Sequence, residues 1–261
     1  MADLENYYNK FNEDKRLLSR HGQVEFFVTM EYIHKYLDRQ NMKILDVGAG
    51  TGRYSIALAK EGHQVTAVEL CKSNIGKMKV NVNKEKVNID IHQGNAINLK
   101  KIPSCTYDVT LLLGPMYHLH SLQDKVQVLL EAKRVTKHNG IIIVGYLMNE
   151  YCVISYGFKD NNIKECLKNG ILEEDTFHSL LKEDDLYDYV RVEDIYRYSD
   201  LAHLKREELI GVDGPTDYMR NVINEMDEEN FSLFKKYCLA ISSRQELIGA
   251  SSHTIDILRN I

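Results

Sequence analysis

Three glycines separated by single residues follow a short apolar run near the start of the chain. The run covers residues 44–47, and the glycines are Gly48, Gly50 and Gly52. Because glycine has no Cβ atom, a loop built from it lets the backbone lie directly against a ligand. Residues 54–59 then place apolar side chains at helical spacing. A strand, a glycine loop and a helix in this order are typical of a nucleotide-binding βα unit.

The residues around the glycines narrow the choice of ligand. In the nicotinamide fingerprint Gly-x-Gly-x-x-Gly/Ala, counting from Gly48 puts the third small position at Arg53, which is too large for close helix–strand packing. Counting from Gly50 puts it at Ser55, which is tolerable but is not glycine. A P-loop needs Gly-Lys-Ser/Thr, where this chain has glycine, arginine and tyrosine. Asp46 would repel a pyrophosphate and attract a ligand that carries an ammonium group.

Apolar runs alternate with helical spacing through the first half of the chain. Strands that alternate with helices of ten to fifteen residues predict a parallel sheet with helices on both faces. Strands are predicted at residues 43–47, 64–69, 87–93, 107–113 and 141–147. Helices are predicted at residues 23–38, from 54 to about 62, at 73–84 and at 122–136.

Regular patterning stops after residue 146. Residues 187–198 alternate loosely and predict one or two strands. Further on, strands are predicted at 207–212 and 253–259, and helices at 215–226 and 228–242. We expect a single domain over residues 1–261, with 1–40 as an N-terminal helical segment or lid and 149–200 as a cap inserted over the acceptor site.

The composition is that of an ordinary water-soluble protein. Charged residues make up 27% and hydrophobic residues 44% of the chain, and the formal net charge is −5. This negative charge argues against extensive electrostatic binding to the phosphate backbone of a nucleic acid. The acidic N-terminus does not resemble a secretory signal, and no apolar run reaches membrane-spanning length. The five cysteines are scattered without metal-binding spacing, so we expect no metal and a cytoplasmic location with reduced thiols.

Polar residues stand at the ends of the next two predicted strands. Open parallel sheets bind ligands at the carboxyl ends of their strands. Glu69 ends the second strand, 23 residues after Asp46, and an acid there can accept hydrogen bonds from both ribose hydroxyls. Asn95 follows the third strand, and its amide suits the edge of an adenine.

In this order and at this spacing, the motifs resemble those of class I S-adenosylmethionine-dependent methyltransferases of the bacterial small-molecule type. The resembling segments are residues 46–52, Glu69, residues 94–96 and the strand at 107–113. The likeness covers residues 20–147 and continues weakly to the end. It implies an α/β fold that is Rossmann-like and doubly wound, with a mainly parallel seven-stranded sheet. It also implies S-adenosyl-L-methionine as cofactor and S-adenosyl-L-homocysteine as product.

The resemblance further implies where the cofactor lies. The glycine loop would contact its methionine part, the acid at the end of the second strand its ribose, and the residues after the third strand its adenine. One departure is Gly-Asn-Ala where the family often has Gly-Asp-Ala. The implied cofactor-binding residues are Asp46, Gly48, Ala49, Gly50, Gly52, Glu69, Leu70, Asn95, Ala96, Leu113 and Tyr8.

Two N-terminal features have open interpretations. Tyr7 and Tyr8 either fold over the cofactor as a lid or pack on the surface. Arg20 and His21 either meet the cofactor carboxylate or are solvated residues ahead of a helix.

The segment after the fourth strand reads Gly-Pro-Met-Tyr-His-Leu-His, at residues 114–120. In amino-methyltransferases of nucleic acid bases and glutamine this place often carries Asp/Asn-Pro-Pro-Tyr/Phe. Because Gly114 and Met116 replace two of those residues, a cradle for an exocyclic amine is not supported. His118 and His120 are candidate bases, and Tyr117 is a candidate donor or a wall of the pocket. The simpler interpretation of His118 is that it starts the next helix and packs there, because the position of a motif locates a site without assigning a role. We take His118 and Tyr117 as the predicted catalytic residues.

The leading hypothesis is a methyltransferase that acts on O, N or S of a small molecule by in-line displacement. The alternatives are an RNA or protein methyltransferase, a binding module without catalysis and, less favoured, a nicotinamide dehydrogenase. The expected partner is a small-molecule acceptor, with no membrane, and the expected state is a monomer or a homodimer.

Overall fold

A computed structural model describes residues 19–182 and 185–261. These residues form one seven-stranded sheet with the strand order β3-β2-β1-β4-β5-β7-β6. Strand β7 pairs antiparallel with β5 and with β6, whereas the other pairs are parallel. This confirms the predicted mainly parallel, Rossmann-like sheet. The strands are β1 Lys43–Val47, β2 Gln64–Glu69, β3 Ile89–Gln93, β4 Tyr107–Leu112, β5 Thr136–Leu147, β6 Lys205–Gly211 and β7 His253–Arg259.

Helices lie before and between the strands. The α-helices are α1 Arg20–Lys35, α2 Arg53–Lys60, α3 Lys72–Glu85, α4 Leu122–Val135, α5 Asn149–Cys152, α6 Ile163–Lys168, α7 Val192–Leu201, α8 Arg220–Glu225, α9 Glu228–Ile241 and α10 Gln245–Ile248. Two 3₁₀ turns, Pro115–His118 and Thr216–Met219, and a π-helix, Val153–Lys159, complete the elements. No helix in these described ranges is long and apolar enough to cross a membrane.

Two apolar cores cover the two faces of the sheet. In β1, Leu45 and Val47 point into one core and Ile44 into the other. Strand β5 alternates in the same way, with Ile142 on the first side and Ile143 on the second. All five side chains are at most 1% exposed. A strand buried on both faces needs an unbroken apolar run, which explains why these strands were readable from the sequence.

The prediction of strands at 187–198 is wrong, because residues 192–201 form helix α7. Ile195, Tyr198 and Ala202 recur at helical spacing and pack into the first core. At the N-terminus of the helix, the Arg191 N–H donates to the Asp194 carboxylate at 2.8 Å. Aromatic residues on both sides of the helix produced the loose alternation that suggested a strand. Burial of the apolar face of the helix against the sheet outweighs that local pattern.

The segment from 149 to 190 contains α5, the π-helix and α6, followed by irregular chain. A single parallel bridge joins Met148 to Val190, at the two ends of this segment. The division into lid, domain and cap stays a prediction.

Candidate functional site

The glycine loop adopts backbone conformations that only glycine takes easily. Gly48, Gly50 and Gly52 have φ angles of 73°, 57° and 91°. A Cβ atom on Gly48 would lie 2.7 Å from Cδ of Pro115, so the loop and the turn after β4 are in direct contact. A Cβ atom on Gly50 would meet no described atom within 4 Å. The loop therefore packs at Gly48 and is open to a ligand at Gly50, among the residues that the structure describes.

Two carboxylates lie beside this loop. Glu69 is 6% exposed; its Oε2 accepts the Gly50 N–H at 2.8 Å and its Oε1 accepts the Cys71 N–H at 2.8 Å. Asp46 is 2% exposed and accepts the Ser55 hydroxyl at 2.6 Å. The pKa of Asp46 is raised to about 6, chiefly by burial; the hydrogen bond from Ser55 opposes this rise and the charge of Glu69 adds to it. A ligand with positive charge would relieve this repulsion, and a sulfonium with an amino acid end brings such charge.

The residues after β3 form a tight turn. The side-chain oxygen of Asn95 accepts the Ile97 N–H at 3.1 Å, which leaves the amide N–H groups as its donors towards a base. Ala96 packs against the first core. Leu70 accepts the Gln93 side-chain amide at its carbonyl, and Leu113 packs against the second core. Those predicted cofactor residues that the structure describes thus stand at the carboxyl edge of β1 to β4, and their individual contacts with a cofactor stay predictions.

Tyr117 and His118 lie in the 3₁₀ turn that follows β4. A Cβ atom on Gly145 would lie 2.8 Å from the Tyr117 hydroxyl, so this glycine makes room for the tyrosine on β5. His118 donates through Nδ1 to the Leu186 carbonyl at 2.8 Å and stacks on Tyr187 with ring centroids 5.3 Å apart. Burial lowers the pKa of His118, and the nearby Lys125 and His120 lower it further. The catalytic roles of Tyr117 and His118 stay predictions.

A buried ion pair ties this turn to the chain ahead of α7. Lys125 of α4 is 1% exposed and lies 2.8 Å from the Asp188 carboxylate. Lys125 also donates to the Met116 carbonyl at 3.1 Å, and the Asp188 N–H donates to the Tyr117 carbonyl at 2.7 Å. Burial lowers the pKa of Lys125, and Asp188 acts in the opposite direction. Lys125 and Asp188 therefore both hold the turn that carries Tyr117 and His118, through its main-chain carbonyl groups.

The other candidate base, His120, follows two residues after the 3₁₀ turn that ends at His118. Its Nε2 is 3.3 Å from the Tyr187 carbonyl, and it lines a shallow cavity of about 340 Å³ with Asp188, Tyr198 and residues of the cap. Among the aromatic residues of the predicted cap, Tyr151 meets Tyr218 edge-on at 5.3 Å. Tyr156 and Phe158 are 53% and 57% exposed.

A second polar cluster lies where β6 ends and β7 begins. His253 is the first residue of β7, and its Nδ1 lies 2.9 Å from Oδ2 of Asp213, two residues after β6. Glu25 of α1 joins them, with ligand atoms of all three residues within 4.8 Å of one another. Burial raises the pKa of Asp213, which the His253 charge opposes and Asp217 and Glu25 increase. His253 also stands 5.7 Å from Tyr117, measured between ring centroids.

Sequence reasoning did not select these three residues. Strands were predicted at 207–212 and 253–259. Polar residues at the ends of these strands could therefore have been selected as site candidates, in the same way as Glu69 and Asn95 at the ends of earlier strands. Glu25 lies on a helix whose apolar face alone was considered. Within the described ranges these three residues have the donor set and spacing of a possible metal site. The expectation of no metal stays a prediction.

Of the N-terminal residues with open interpretations, the structure describes Arg20 and His21 but not the two tyrosines. Tyr7 and Tyr8 lie outside the described residues. Arg20 forms an ion pair with Glu228 at 2.6 Å, and its guanidinium lies over Phe231. The Nη1 atom of Arg20 is buried and has no hydrogen bond to a described residue. Both interpretations of Arg20 therefore remain open.

Comparisons with known proteins fit this arrangement. A family model described as a methyltransferase domain matches residues 45–144. The ubiquinone biosynthesis O-methyltransferase of Rickettsia typhi is 32% identical over 53% of this chain and 54% of its own length. The glycine/sarcosine N-methyltransferase of Parasynechococcus marenigrum is 29% identical over 40% of this chain and 37% of its own. The chain spans about half the length of the curated relatives it matches.

Solved structures share the fold at low sequence identity. A methyltransferase from Methanosarcina mazei described as SAM-dependent aligns with a TM-score of 0.59 at 13% identity, over 88% of this chain and 97% of its own. Phosphoethanolamine N-methyltransferase 1 of Haemonchus contortus, in complex with phosphoethanolamine and S-adenosylhomocysteine, aligns with a TM-score of 0.61 at 18% identity, over 99% of this chain and 47% of its own. Residues 45–144 are therefore similar to a methyltransferase domain, and the chain shares the fold of these solved structures.

Proposed function

We propose that this protein binds S-adenosylmethionine and transfers its methyl group to O, N or S of a small-molecule acceptor. The observation that carries the proposal is the carboxylate of Glu69, buried at the end of β2 and bonded to the N–H of Gly50. It lies beside a second buried carboxylate, Asp46. Two acids around a glycine loop favour a cationic ligand over a pyrophosphate, which supports this cofactor over a nicotinamide.

The residues of the chain would act mainly by positioning. The cofactor supplies a methyl group on a cationic sulfur, which an acceptor attacks in line. Holding two reactants in such alignment is worth ~7–11 kcal/mol. Pro115 packs against Gly48, so the turn after β4 would form the boundary between the cofactor and the acceptor. The buried Lys125–Asp188 pair fixes that turn and hence the position of Tyr117.

A small-molecule acceptor is favoured by the net charge of −5 and by the relatives' names. Those names include both O- and N-methyltransferases, so the attacking atom is left open between them and sulfur. We also propose a cytosolic location, because all five cysteines are free thiols. A monomer or a homodimer is proposed for the assembly, which light scattering after gel filtration would measure.

Calorimetry with S-adenosylmethionine and S-adenosylhomocysteine tests the cofactor. Replacing Glu69 by Gln removes the charge but keeps the shape of the side chain. We expect the variant to bind the cofactor at least about tenfold more weakly than the wild type, since hydrogen bonds to charged groups contribute ~1.5–3 kcal/mol. Glu85→Gln, on the exposed end of α3, is the matched control and should bind as the wild type does. Absence of binding at millimolar ligand, or equal affinity of the Glu69 variant, would contradict the proposal.

The acceptor is then sought with a tritiated methyl donor and fractions of cell metabolites. Label should enter small molecules, and treatment of the fractions with RNase or protease should leave it unchanged. Loss of label after either treatment would favour the RNA or protein alternative. Intact cofactor binding without transfer to any fraction would favour a binding module.

A further inference from the structure

Two carboxylates and one imidazole converge where β6 ends and β7 begins. Glu25 comes from α1, Asp213 lies two residues after β6 and His253 begins β7. One ligand atom of each residue lies within 4.8 Å of the other two. In the ranges 19–182 and 185–261 this is the one set of three histidine, cysteine, aspartate or glutamate side chains with that spacing. Three segments that are far apart in sequence thus bring metal-binding side chains to one point.

The distances between these donors suit a single bound ion. Atoms that bind the same zinc ion lie about 2.0–2.2 Å from it and hence about 3–4 Å from one another. The Nδ1 atom of His253 is 2.9 Å from Oδ2 of Asp213. Movements of about 1 Å or less would close all three ligand atoms around an ion at those lengths. Zinc sites with three protein ligands are common, and water or another group then takes the fourth position.

The mixture of donors decides which ion suits the set. Carboxylates alone would favour Mg²⁺ or Ca²⁺, which take oxygen ligands, whereas an imidazole nitrogen favours transition ions such as Zn²⁺. The set contains no thiolate, so it does not select Cu(I). Mn²⁺ accepts the same donors but binds them more weakly than Zn²⁺ does. Zn²⁺ therefore fits this donor set best.

Burial gives a second reason for a cation between these side chains. Glu25 is 8% exposed and Asp213 is 2% exposed. Two buried carboxylates at this distance repel each other, because little solvent screens their charges. A divalent ion bound to both turns the repulsion into attraction. The His253 side chain keeps 13% of its surface exposed, which gives the ion access from solvent.

Hydrogen bonds to the main chain hold two of the three ligands in place. Oδ2 of Asp213 accepts the His253 main-chain N–H at 2.5 Å. The Asp213 N–H donates to the Ser251 hydroxyl at 3.1 Å, and its carbonyl accepts the Thr216 N–H at 3.1 Å. Partners of this kind orient a ligand before the metal arrives. Asp213 is thus a fixed side chain, and α1 brings Glu25 against it.

We propose that Glu25, Asp213 and His253 bind a Zn²⁺ ion that joins α1 to the end of the sheet at β6 and β7. Each acid supplies a carboxylate oxygen, the histidine supplies one ring nitrogen and water completes the coordination. The ion adds directional bonds to a helix that otherwise packs on the second core through side chains such as Val24 and Val28. The sequence-based expectation of no metal rested on the spacing of the cysteines and did not include this set.

Metal analysis and thermal unfolding of the purified protein test the site. Mass spectrometry of the metals that stay with the protein through gel filtration should find stoichiometric zinc after growth in zinc-containing medium. After EDTA treatment and dialysis, Zn²⁺ at about a hundredfold excess over its Kd should raise the melting temperature by about 5–10 °C. Mn²⁺ at the same concentration should raise it less. Zn²⁺ should also slow hydrogen exchange of the α1 amides and leave α3 unchanged.

Variants of the three ligands identify the donors. Glu25→Gln, Asp213→Asn and His253→Gln should each weaken Zn²⁺ binding by at least ~100-fold, because changes to the outer partners of a ligand already cost ~10–100-fold. Glu25→Gln is the decisive variant, since it leaves the contact between Asp213 and His253 in place.

Two control variants keep the three ligands and should bind Zn²⁺ as the wild type does. Glu31→Gln removes an exposed acid from the same helix as Glu25. His178→Gln alters another histidine that lies close to an acid, with its Nε2 3.2 Å from Asp194. A histidine next to one carboxylate is therefore compared directly with the set of three.

Three results would overturn the proposal. Protein without bound zinc whose melting temperature responds to neither ion would exclude the site. Wild-type affinity for Zn²⁺ in Glu25→Gln would place the ion elsewhere. Equal hydrogen exchange of α1 with and without Zn²⁺ would refute its role in joining the helix to the sheet. Because none of these measurements uses S-adenosylmethionine, failure of the metal site and failure of the proposed methyl transfer are separate outcomes.

Discussion

Removing the buried charge of Asp46 should stabilise the protein without cofactor while weakening its binding of cofactor. Burial raises the pKa of this carboxyl from 3.8 to about 6, a difference of about 2. At ~1.4 kcal/mol per pKa unit, the folded state carries a penalty of about 3 kcal/mol once the group is ionised. Asp46→Asn removes that penalty and keeps an oxygen that accepts the Ser55 hydroxyl.

The pH dependence follows from the direction of this pKa change. Between pH 3.8 and about 6 the folded protein binds more protons at Asp46 than the unfolded chain does, so the contribution to stability falls as pH rises through this window. The variant should therefore exceed the wild type by about 3 kcal/mol above pH 6, and this difference should shrink towards zero near pH 4. Asp256, whose pKa burial also raises to about 6, titrates in both proteins and cancels in the difference.

Urea unfolding of wild type and variant at pH 4, 5, 6 and 7.5 measures this difference. Ser55→Ala is the opposite control, because losing the hydroxyl removes a hydrogen bond that lowers the Asp46 pKa, and it should destabilise the protein at neutral pH. S-adenosylmethionine should bind the Asp46 variant more weakly by ~1.5–3 kcal/mol. A variant that is less stable at pH 7.5, or a stability difference that does not change with pH, would refute the reasoning.

Two further predictions concern the turn after β4 and the glycine loop. Lys125→Met should lower the free energy of unfolding in urea by up to ~3–5 kcal/mol, because it leaves Asp188, whose side chain is only 14% exposed, without its cation. The double variant with Asp188→Asn should recover part of the loss, and equal losses in the two variants would argue against the pair. Gly48→Ala should cost at least ~1–3 kcal/mol, since it adds a Cβ atom 2.7 Å from Pro115 at a φ of 73°. Gly76→Ala, inside α3 with no described atom near its Cβ position, should instead be neutral or stabilising by up to ~1 kcal/mol, and a Gly48 variant as stable as this control would contradict the steric account.

The positions of the predicted cofactor residues at the strand ends could be predicted because the pattern that marks them is local in sequence. Asp46, Gly50 and Glu69 each stand at or just after a strand whose apolar run marks it as buried. Parallel pairing then brings neighbouring strand ends together, so the hydrogen bond between Glu69 and Gly50 follows from the strand order of β1 and β2. Asn95 belongs to the same pattern, one strand further along.

Helix α7 and the cluster of Glu25, Asp213 and His253 were not predictable in the same way. Helix α7 was read as strand because Tyr198 and its aromatic neighbours blur the spacing of its apolar face. Glu25 and His253 are joined only through tertiary packing of α1 against the end of the sheet. Their juxtaposition depends on the register between β5, β6 and β7, which no local pattern in the sequence specifies.

The antiparallel direction of β7 explains why a histidine at the start of a strand lies at the carboxyl edge of the sheet. In a parallel strand the first residue would lie at the opposite edge, far from the glycine loop. Because β7 runs against β5, His253 lies opposite Leu147 at the carboxyl end of β5. Strand β6 also runs against β7, so Asp213 emerges at the same edge. The single reversal in the sheet thus creates the His253–Asp213 pair, and moving it would require a change of topology rather than of residues.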